Sequence, residues 1–529
     1  MIQRKTQTAE YWQGFTLTDN EVEFLHNVLL EAEEPLTTQA LALALVGERV
    51  RHEEAELRAE LGKGALYQPK NYYGVGDKVI FPAFDFRLGQ VVTARAGRNP
   101  EYGDFEVITV DFGPERRQRA FAAGLNAPHK LNVDTPDLLT AGDVASPEKL
   151  LATVAGNLPA ALPGLLAQTS EFASFENRWL LRDLLADLHV GHLNIAEALI
   201  EMRGQPVETG VLVKELELPK EIKPQVQAFS LQSSLAADGR FDQVGPGESR
   251  RWFLRRLEPA EALAIPETLR HMAMPYERNA ISVELLQIEW ELDDEWTEES
   301  QAGAAPRANI PSTTILLTYP HLISGTLPVS SHSRSFFPTG HGERTMVTLI
   351  DGRWGQRFPG WVVRGGRYVA GLRPWFDEHK LPAGAFIVLE RKEDPTEVVV
   401  DFRPKRMRRE WARMARVVEG RLDFELRKQA VSCEYDEQVI LGVEETDAVL
   451  KLRESELYAN APLPDLVYQV FTDLAGLSQQ GSVHAKTLYS AINVVRRLPP
   501  GPIFAALASD SRLQSVGEGS YRLASEIAG

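Results

Sequence analysis

A chain of 529 residues is long enough for several domains, because single hydrophobic cores stop growing near about 250–300 residues. Hydrophobic content of 43% and charged content of 25% are those of a globular protein, and the one cysteine, Cys433, excludes an internal disulfide framework and a cysteine-rich zinc site. A formal net charge of −17 argues against a protein that coats nucleic acid with its whole surface, while leaving room for a basic patch on an acidic body.

In chain order, residues 1–70 predict a winged helix. Thr18 and Glu21 have the spacing of a capping box before a helix bearing Val22, Leu25, Val28 and Leu29. PLTTQAL (Pro35 to Leu41) then turns into a short second helix, and ERVRHEEAELRAEL forms a charged third helix ended by Gly62 and Gly64. Residues 71–135 change period: β-branched runs separated by Gly, Pro and Asn predict a small SH3-like β-barrel. Residues 136–188 read as a partial winged helix, and 189–260 as a complete one.

An internal repeat supports that reading. LAADGRFDQVGPG (Leu235 to Gly247) aligns without gaps on LASDSRLQSVGEG (Leu507 to Gly519). PVETGVL (Pro206 to Leu212) matches PLTTQAL in its Pro, second Thr and Leu, and Trp179 is placed like Trp252. Residues 261–308 are acidic and then Ala/Gly/Pro-rich, and are expected to be a linker. Residues 309–403 are β-rich with one helical interruption, RPWFDEHK. Residues 404–456 are expected as a basic helix and connector, the helix being RPKRMRREWARMAR from Arg403 to Arg416. Residues 457–529 predict a C-terminal winged helix: apolar faces on Leu466–Leu474 and Leu488–Val495, a third helix opened by Pro499 and Pro500, and a hairpin around Gly517 and Gly519. The expected fold class is therefore α+β and multi-domain, with several winged helix-turn-helix units, an SH3-like barrel and a further β domain.

Two family resemblances sharpen this. Tyr368-Val369, Trp375-Phe376, Leu381, Gly384, Ile387, Leu389 and Arg391 match the signature of B3-type pseudobarrels, although Ala385 stands where that family usually has Asp. VHAKTLYSAI, the Arg496–Arg497 pair and VGEGSYRL resemble HARE-type winged helices, a family that includes the N-terminal domain of the RNA polymerase delta subunit. These resemblances imply a non-enzymatic, DNA- or transcription-linked role and bring no catalytic residues with them. The B3-type likeness implies that two arms, Ser330 to Arg344 and Val362 to Tyr368, contact duplex DNA through Arg334, Arg344, Arg364 and Arg367, with Ser331, His332 and Ser333 alongside.

The residues themselves offer further candidates. Lys405, Arg406, Arg408, Arg409 and Arg413 of the basic stretch, with Trp411 and Met414 between them, could follow a phosphate backbone; the alternative is a solvated face whose Arg stems cover apolar surface. Lys486, Arg496, Arg497, Arg512 and Arg522 could serve the C-terminal unit, and Arg240, Arg250, Arg251, Arg255 and Arg256 the middle one. The C-terminal third helix, PGPIFAALASD, is apolar and poor in base-reading side chains, which favours protein docking for that unit. The second functional expectation is thus an acidic scaffold for RNA polymerase or another DNA-processing complex, with a recognition subunit of a restriction or defence system as a variant of the first. No cofactor or metal site is expected. His189 and His192 read as a helix start rather than ligands, Glu434, Asp436 and Glu437 lack nuclease spacing, Cys433 reads as a buried structural thiol, and HGERT (His341 to Thr345) is a loop without an assigned partner. No run suggests a signal peptide or membrane span, so the expected location is the cytoplasm.

Overall fold

The computed structural model describes residues 4–84, 86–113, 118–132, 145–247, 249–297, 310–338 and 340–524. It is a mixed α+β chain that divides into two compact units, Met1–Leu188 with Glu217–Ser234, and His189–Leu216 with Leu235–Gly529.

In the first unit, α1 (Asp19–Ala32) starts at the capping box: Thr18 accepts from the Glu21 backbone, and the Glu21 carboxylate accepts from the Thr18 N–H. After β1 (Leu36–Thr37), α2 runs unbroken over Thr38–Leu61. The two predicted helices are therefore one, because no glycine or proline in 38–61 stops the hydrogen-bond ladder except Gly47, which a helix tolerates. A five-stranded sheet follows, ordered β2 (Ala65–Leu66), β3 (Lys78–Phe81), β4 (Arg87–Ala96), β5 (Glu106–Asp111) and β6 (Arg119–Ala123), around Tyr67, Phe81, Val91, Ile108 and Val110.

The chain then returns to finish what α1 and α2 began. Helices α3 (Pro147–Thr153) and α4 (Leu158–Leu166) and the hairpin β7 (Phe172–Phe175)–β8 (Arg178–Leu181) share one core with them, including Leu25, Leu41, Leu45, Leu151, Leu162 and Trp179. Strand β1 pairs with β8, Leu36 opposite Trp179. The expected separate units 1–70 and 136–188 are thus halves of a single one, with the five-stranded sheet inserted between them. Each half alone would leave its apolar face exposed.

The second unit begins with α5 (Val190–Arg203), capped by His189. It continues through β9 (Val207–Glu208) and α6 (Thr209–Glu215). Helix α7 (Pro224–Ala237) carries the chain from the first unit back into the second, and the hairpin β10 (Phe241–Gln243)–β11 (Arg251–Leu254) pairs with β9. The repeat seen in the sequence has a physical cause here. The Trp179 indole donates to Thr38 Oγ1 at 2.9 Å, and the Trp252 indole donates to Thr209 Oγ1 at 3.1 Å. The shared Thr and the similarly placed Trp are two ends of one buried hydrogen bond.

Helix α8 (Val283–Leu292) precedes a seven-stranded sheet of order β12-β17-β18-β14-β15-β16-β13. Its strands are β12 (Ser312–Leu316), β13 (Thr326–Pro328), β14 (Arg344–Asp351), β15 (Arg357–Val363), β16 (Tyr368–Ala370), β17 (Phe386–Arg391) and β18 (Glu397–Phe402), with α9 (Tyr319–Ser324) and α10 (Arg373–His379) closing it. All pairs are antiparallel except β14–β18. Val369, Trp375, Phe376, Leu381, Ile387 and Leu389 form its core. Gly384 holds φ +94°, and a Cβ there would meet the Ile440 nitrogen at 2.9 Å. The turn at Ala385 closes on the backbone, Ala385 N donating to Pro382 O at 3.2 Å, so no Asp side chain is needed.

Residues 404–418, expected as a basic helix, form the strand β19 (Pro404–Val418), paired along its length with β20 (Arg421–Cys433) and in parallel with β21 (Leu441–Val443). A helix would stack Lys405 on Arg409 and Arg409 on Arg413 at i,i+4, a destabilising arrangement of like charges. The ladder instead sets Arg416 against Asp423 at 2.7 Å and Glu425 at 2.5 Å. Cys433 ends β20 buried, and burial pushes its thiol up to about 11.

After α11 (Thr446–Glu454), the C-terminal part comprises α12 (Leu463–Ala475), β22 (Ser482–His484), α13 (Ala485–Val495), α14 (Pro500–Ser509), β23 (Leu513–Gly517) and β24 (Ser520–Leu523). Its sheet order, β22-β24-β23, matches β1-β8-β7 and β9-β11-β10. Asp510 and Asp238 play one role: each carboxylate accepts from the backbone N–H and the guanidinium of the Arg two residues on, Arg512 and Arg240.

The expected linker 261–308 is corrected for 261–297, while 298–309 lie outside the described residues. Asp293, Asp294 and Glu295 are buried rather than solvated. Arg497 sits 2.8 Å from Asp294 and 2.7 Å from Glu295, Tyr489 donates to Asp294 at 2.6 Å, and His321 lies 3.2 Å from Glu295. An acidic run that finds buried counter-charges becomes part of the core.

Candidate nucleic-acid interface

The cations nominated from sequence divide into those that the fold consumes and those that it leaves exposed. Arg344 is 9% exposed and joins the Asp242 carboxylate to Glu258, the latter at 2.8 Å. Burial pushes Glu258 up to about 7, with Arg344 opposing the rise and Asp242 adding to it. Arg367 donates to the Glu295 carbonyl at 2.9 Å and lies 4.5 Å over the Trp296 ring. Arg364, though exposed, donates to the Gly340 carbonyl. Arg334 is half-buried in the turn Arg334–Phe336. The nearby polar residues of that arm fold inward: Ser331 donates to Asp293 at 2.6 Å, the His332 N–H donates to the same carboxylate at 3.1 Å, and Ser333 donates to the Pro328 carbonyl at 2.7 Å.

The C-terminal cations are similarly committed. Arg497 Nη2 is held by Asp294 and Glu295 and its Nη1 by Asn493 and the Leu498 carbonyl, and Arg496 donates to the Ala461 carbonyl at 2.7 Å. Arg522 is exposed on β24 and reaches Gln514 at 3.3 Å. Lys486 sits 2.8 Å from both Glu291 and Asp436. In the middle unit Arg240, Arg251, Arg255 and Arg256 all carry ion pairs. Helix α14 is closed off as well: Pro500, Gly501, Pro502, Ile503 and Phe504 are buried, and a Cβ on Gly501 would meet the Tyr276 hydroxyl at 2.5 Å. In the first unit, Val226 and Phe229 of α7 pack with Ala173 and Leu180.

The ribbon β19–β20 is different. Lys405, Arg406, Arg408 and Arg409 are exposed and, among the described residues, make no ion pair or side-chain hydrogen bond; the Lys405 ammonium lies 5.9 Å from the Tyr435 ring. The strand bulges there, since Pro404 faces Cys433 and Arg408 faces Val431: four steps on β19 span two on β20. The two extra residues push cations outward and release them from strict alternation. Met407 and Trp411 are 67% and 61% exposed, and Lys428 rests 5.1 Å over the Trp411 ring. By register, Arg409, Trp411 and Arg413 share one face with Ala430, Lys428 and Leu426, while Ala412, Met414 and Val431 turn into the core. Arg413 is half-buried: its Nη1 donates to the carbonyl of Glu437 at 3.0 Å, and burial lowers its pKa against the pull of Asp436.

Sequence reasoning therefore found Lys405, Arg406, Arg408, Arg409 and Arg413 but placed them on a helix. It gave Trp411 no particular role and passed over Lys428 as a possible contact. The signal that could have corrected it is Glu419-Gly420, a two-residue turn between ARVV and RLDFEL. Both residues hold positive φ, 53° and 75°.

Other chemistry finds little footing. His189 accepts from the Gly191 N–H at 3.1 Å and His192 accepts from the His189 N–H at 3.3 Å, so both serve the start of α5. Among the described residues no group of three or more His, Cys, Asp or Glu side chains is placed to hold a metal ion, and no single helix is long and apolar enough to cross a membrane. Comparison with protein-family models, with curated proteins and with solved structures returned no match.

Proposed function

We propose that this protein binds nucleic acid, with duplex DNA as the first candidate, through the exposed cations at the bulged end of the β19–β20 ribbon. The observation that carries the reading is the set Lys405, Arg406, Arg408 and Arg409: four exposed cations without an acidic partner among the described residues, in a chain of net charge −17. Ion pairing would otherwise be cheap in such a chain, so a cluster left without ion pairs among the described residues is suited to phosphates. A two-stranded ribbon also fits the width of a major groove.

The three repeats of helix, short strand, two helices (three in the first) and hairpin fit winged helix-turn-helix units, the five-stranded sheet fits an SH3-like barrel, and the seven-stranded sheet with two short helices fits a B3-like pseudobarrel. On this reading the winged helices are architectural. The burial of α14 supports docking rather than base reading for the C-terminal copy, which keeps the second reading, a scaffold for RNA polymerase or another DNA-processing complex, alive for that part. The engagement of Arg344 by Asp242 and Glu258 and of Arg367 by the Glu295 carbonyl favours the ribbon over the B3-like arms as the DNA contact. Equilibrium binding of the full chain to a labelled random-sequence duplex is the test. Binding that weakens steeply with added salt is expected, and its absence at low salt would sink the proposal.

A further inference from the structure

The ribbon face that carries Arg409 and Trp411 runs on to Arg413, and there it walls a cleft of about 320 Å3. The opposite wall belongs to the C-terminal part and presents Ser478, Ser482, Ser520 and the His484 ring. Among the described residues no Asp or Glu side chain lines it; the backbone carbonyls of Glu437 and Gln438 accept from Arg413 Nη1 at 3.0 and 3.5 Å. Among the described residues, Arg413 donates from neither Nε nor Nη2 to a protein acceptor. A half-buried guanidinium with no carboxylate in hydrogen-bond contact among the described residues, Asp436 acting only at longer range, carries a desolvation cost that a bound anion would offset, and charge-assisted hydrogen bonds from guanidinium and hydroxyls suit phosphate oxygens. Beside Thr487, Lys486 is held between the carboxylates of Asp436 and Glu291 at 2.8 Å each. A phosphodiester chain continuing that way would meet carboxylates, whereas a chain terminus would not.

We propose that this cleft takes the terminal phosphate monoester of a nucleic-acid strand, held by Arg413 and the serine hydroxyls, with the adjoining nucleotide lying along the Trp411 face of the ribbon. The assignment rests on the nucleic-acid reading of that ribbon. It is tested by fluorescence anisotropy on the full chain with matched oligonucleotides bearing either a terminal phosphate or only hydroxyl ends, each with and without competing inorganic phosphate. The phosphate-ended strand should bind about tenfold more tightly, the worth of one or two charge-assisted hydrogen bonds. Arg413→Gln should erase that preference and Ser520→Ala should reduce it. Equal binding of the two strands by the unaltered protein overturns the cleft assignment while leaving the ribbon reading intact, since the hydroxyl-ended strand still binds. Failure of both strands to bind overturns both. Competition by inorganic phosphate without a preference between strands gives the cleft to the free ion and likewise overturns the strand-end assignment.

Discussion

Neutralising the ribbon offers the sharpest measurement. In the triple variant Arg406→Gln, Arg408→Gln, Arg409→Gln, three exposed cations are lost that make no ion pair among the described residues. For duplex DNA the logarithm of affinity falls with the logarithm of salt at about 0.9 per phosphate contact, so losing three contacts should lower the slope by about 2–3. The thermal midpoint should stay where it was, because no folded-state partner is removed. Anisotropy titrations over a salt series give the slope, and scanning calorimetry gives the midpoint. Neutralising Arg512, which is clamped on Asp510 at 2.7 Å, is the contrast: it should cost stability and leave the slope alone. An unchanged slope in a folded triple variant would refute the ribbon as the phosphate-contacting surface.

Arg497→Met should destabilise the second unit by about 3–5 kcal/mol in urea unfolding, because Asp294 and Glu295 would stay buried without their cation. A loss well below 1 kcal/mol would show that the cluster is already neutral. Trp179→Phe should cost about 1 kcal/mol by breaking the bond to Thr38, and Trp252→Phe should cost a similar amount through Thr209. Parallel melts of the two variants check that equivalence. Burial pushes the His271 imidazole down to about 4, with Arg497 adding to the shift. Between its ordinary pKa and that value the unfolded chain binds more protons than the folded one, so stability should fall as pH drops from about 6.5 to 4. His271→Gln should flatten that part of a stability-versus-pH curve, and an unaltered curve would remove His271 as a cause.

Features written in short stretches were legible from sequence. The Thr18–Glu21 capping box, the gapless match of Leu235–Gly247 to Leu507–Gly519 and the glycine at 384 each depend on residues a few positions apart, so their geometry follows from local chemistry. The ribbon was misread because spaced arginines carry no period of their own, and the partner strand decides between helix and ladder. The nominated arginines of the arms looked available for the same reason. Their acceptors, Asp242 and Glu258 for Arg344 and Glu295 for Arg367, lie many residues away in the chain.

By itself, the sequence determined the repeating unit, the α+β character and the presence of a concentrated basic segment, since propensity, capping and turn chemistry act over a few residues. Only the tertiary structure decided that the first repeat closes around an inserted sheet, with Leu36 meeting Trp179 across more than a hundred residues. It likewise decided that Asp293, Asp294 and Glu295 are interior. Above all it decided which cations remain exposed, because whether an arginine is spent or free depends on the carboxylates folding brings to it, and neither spacing nor composition records that.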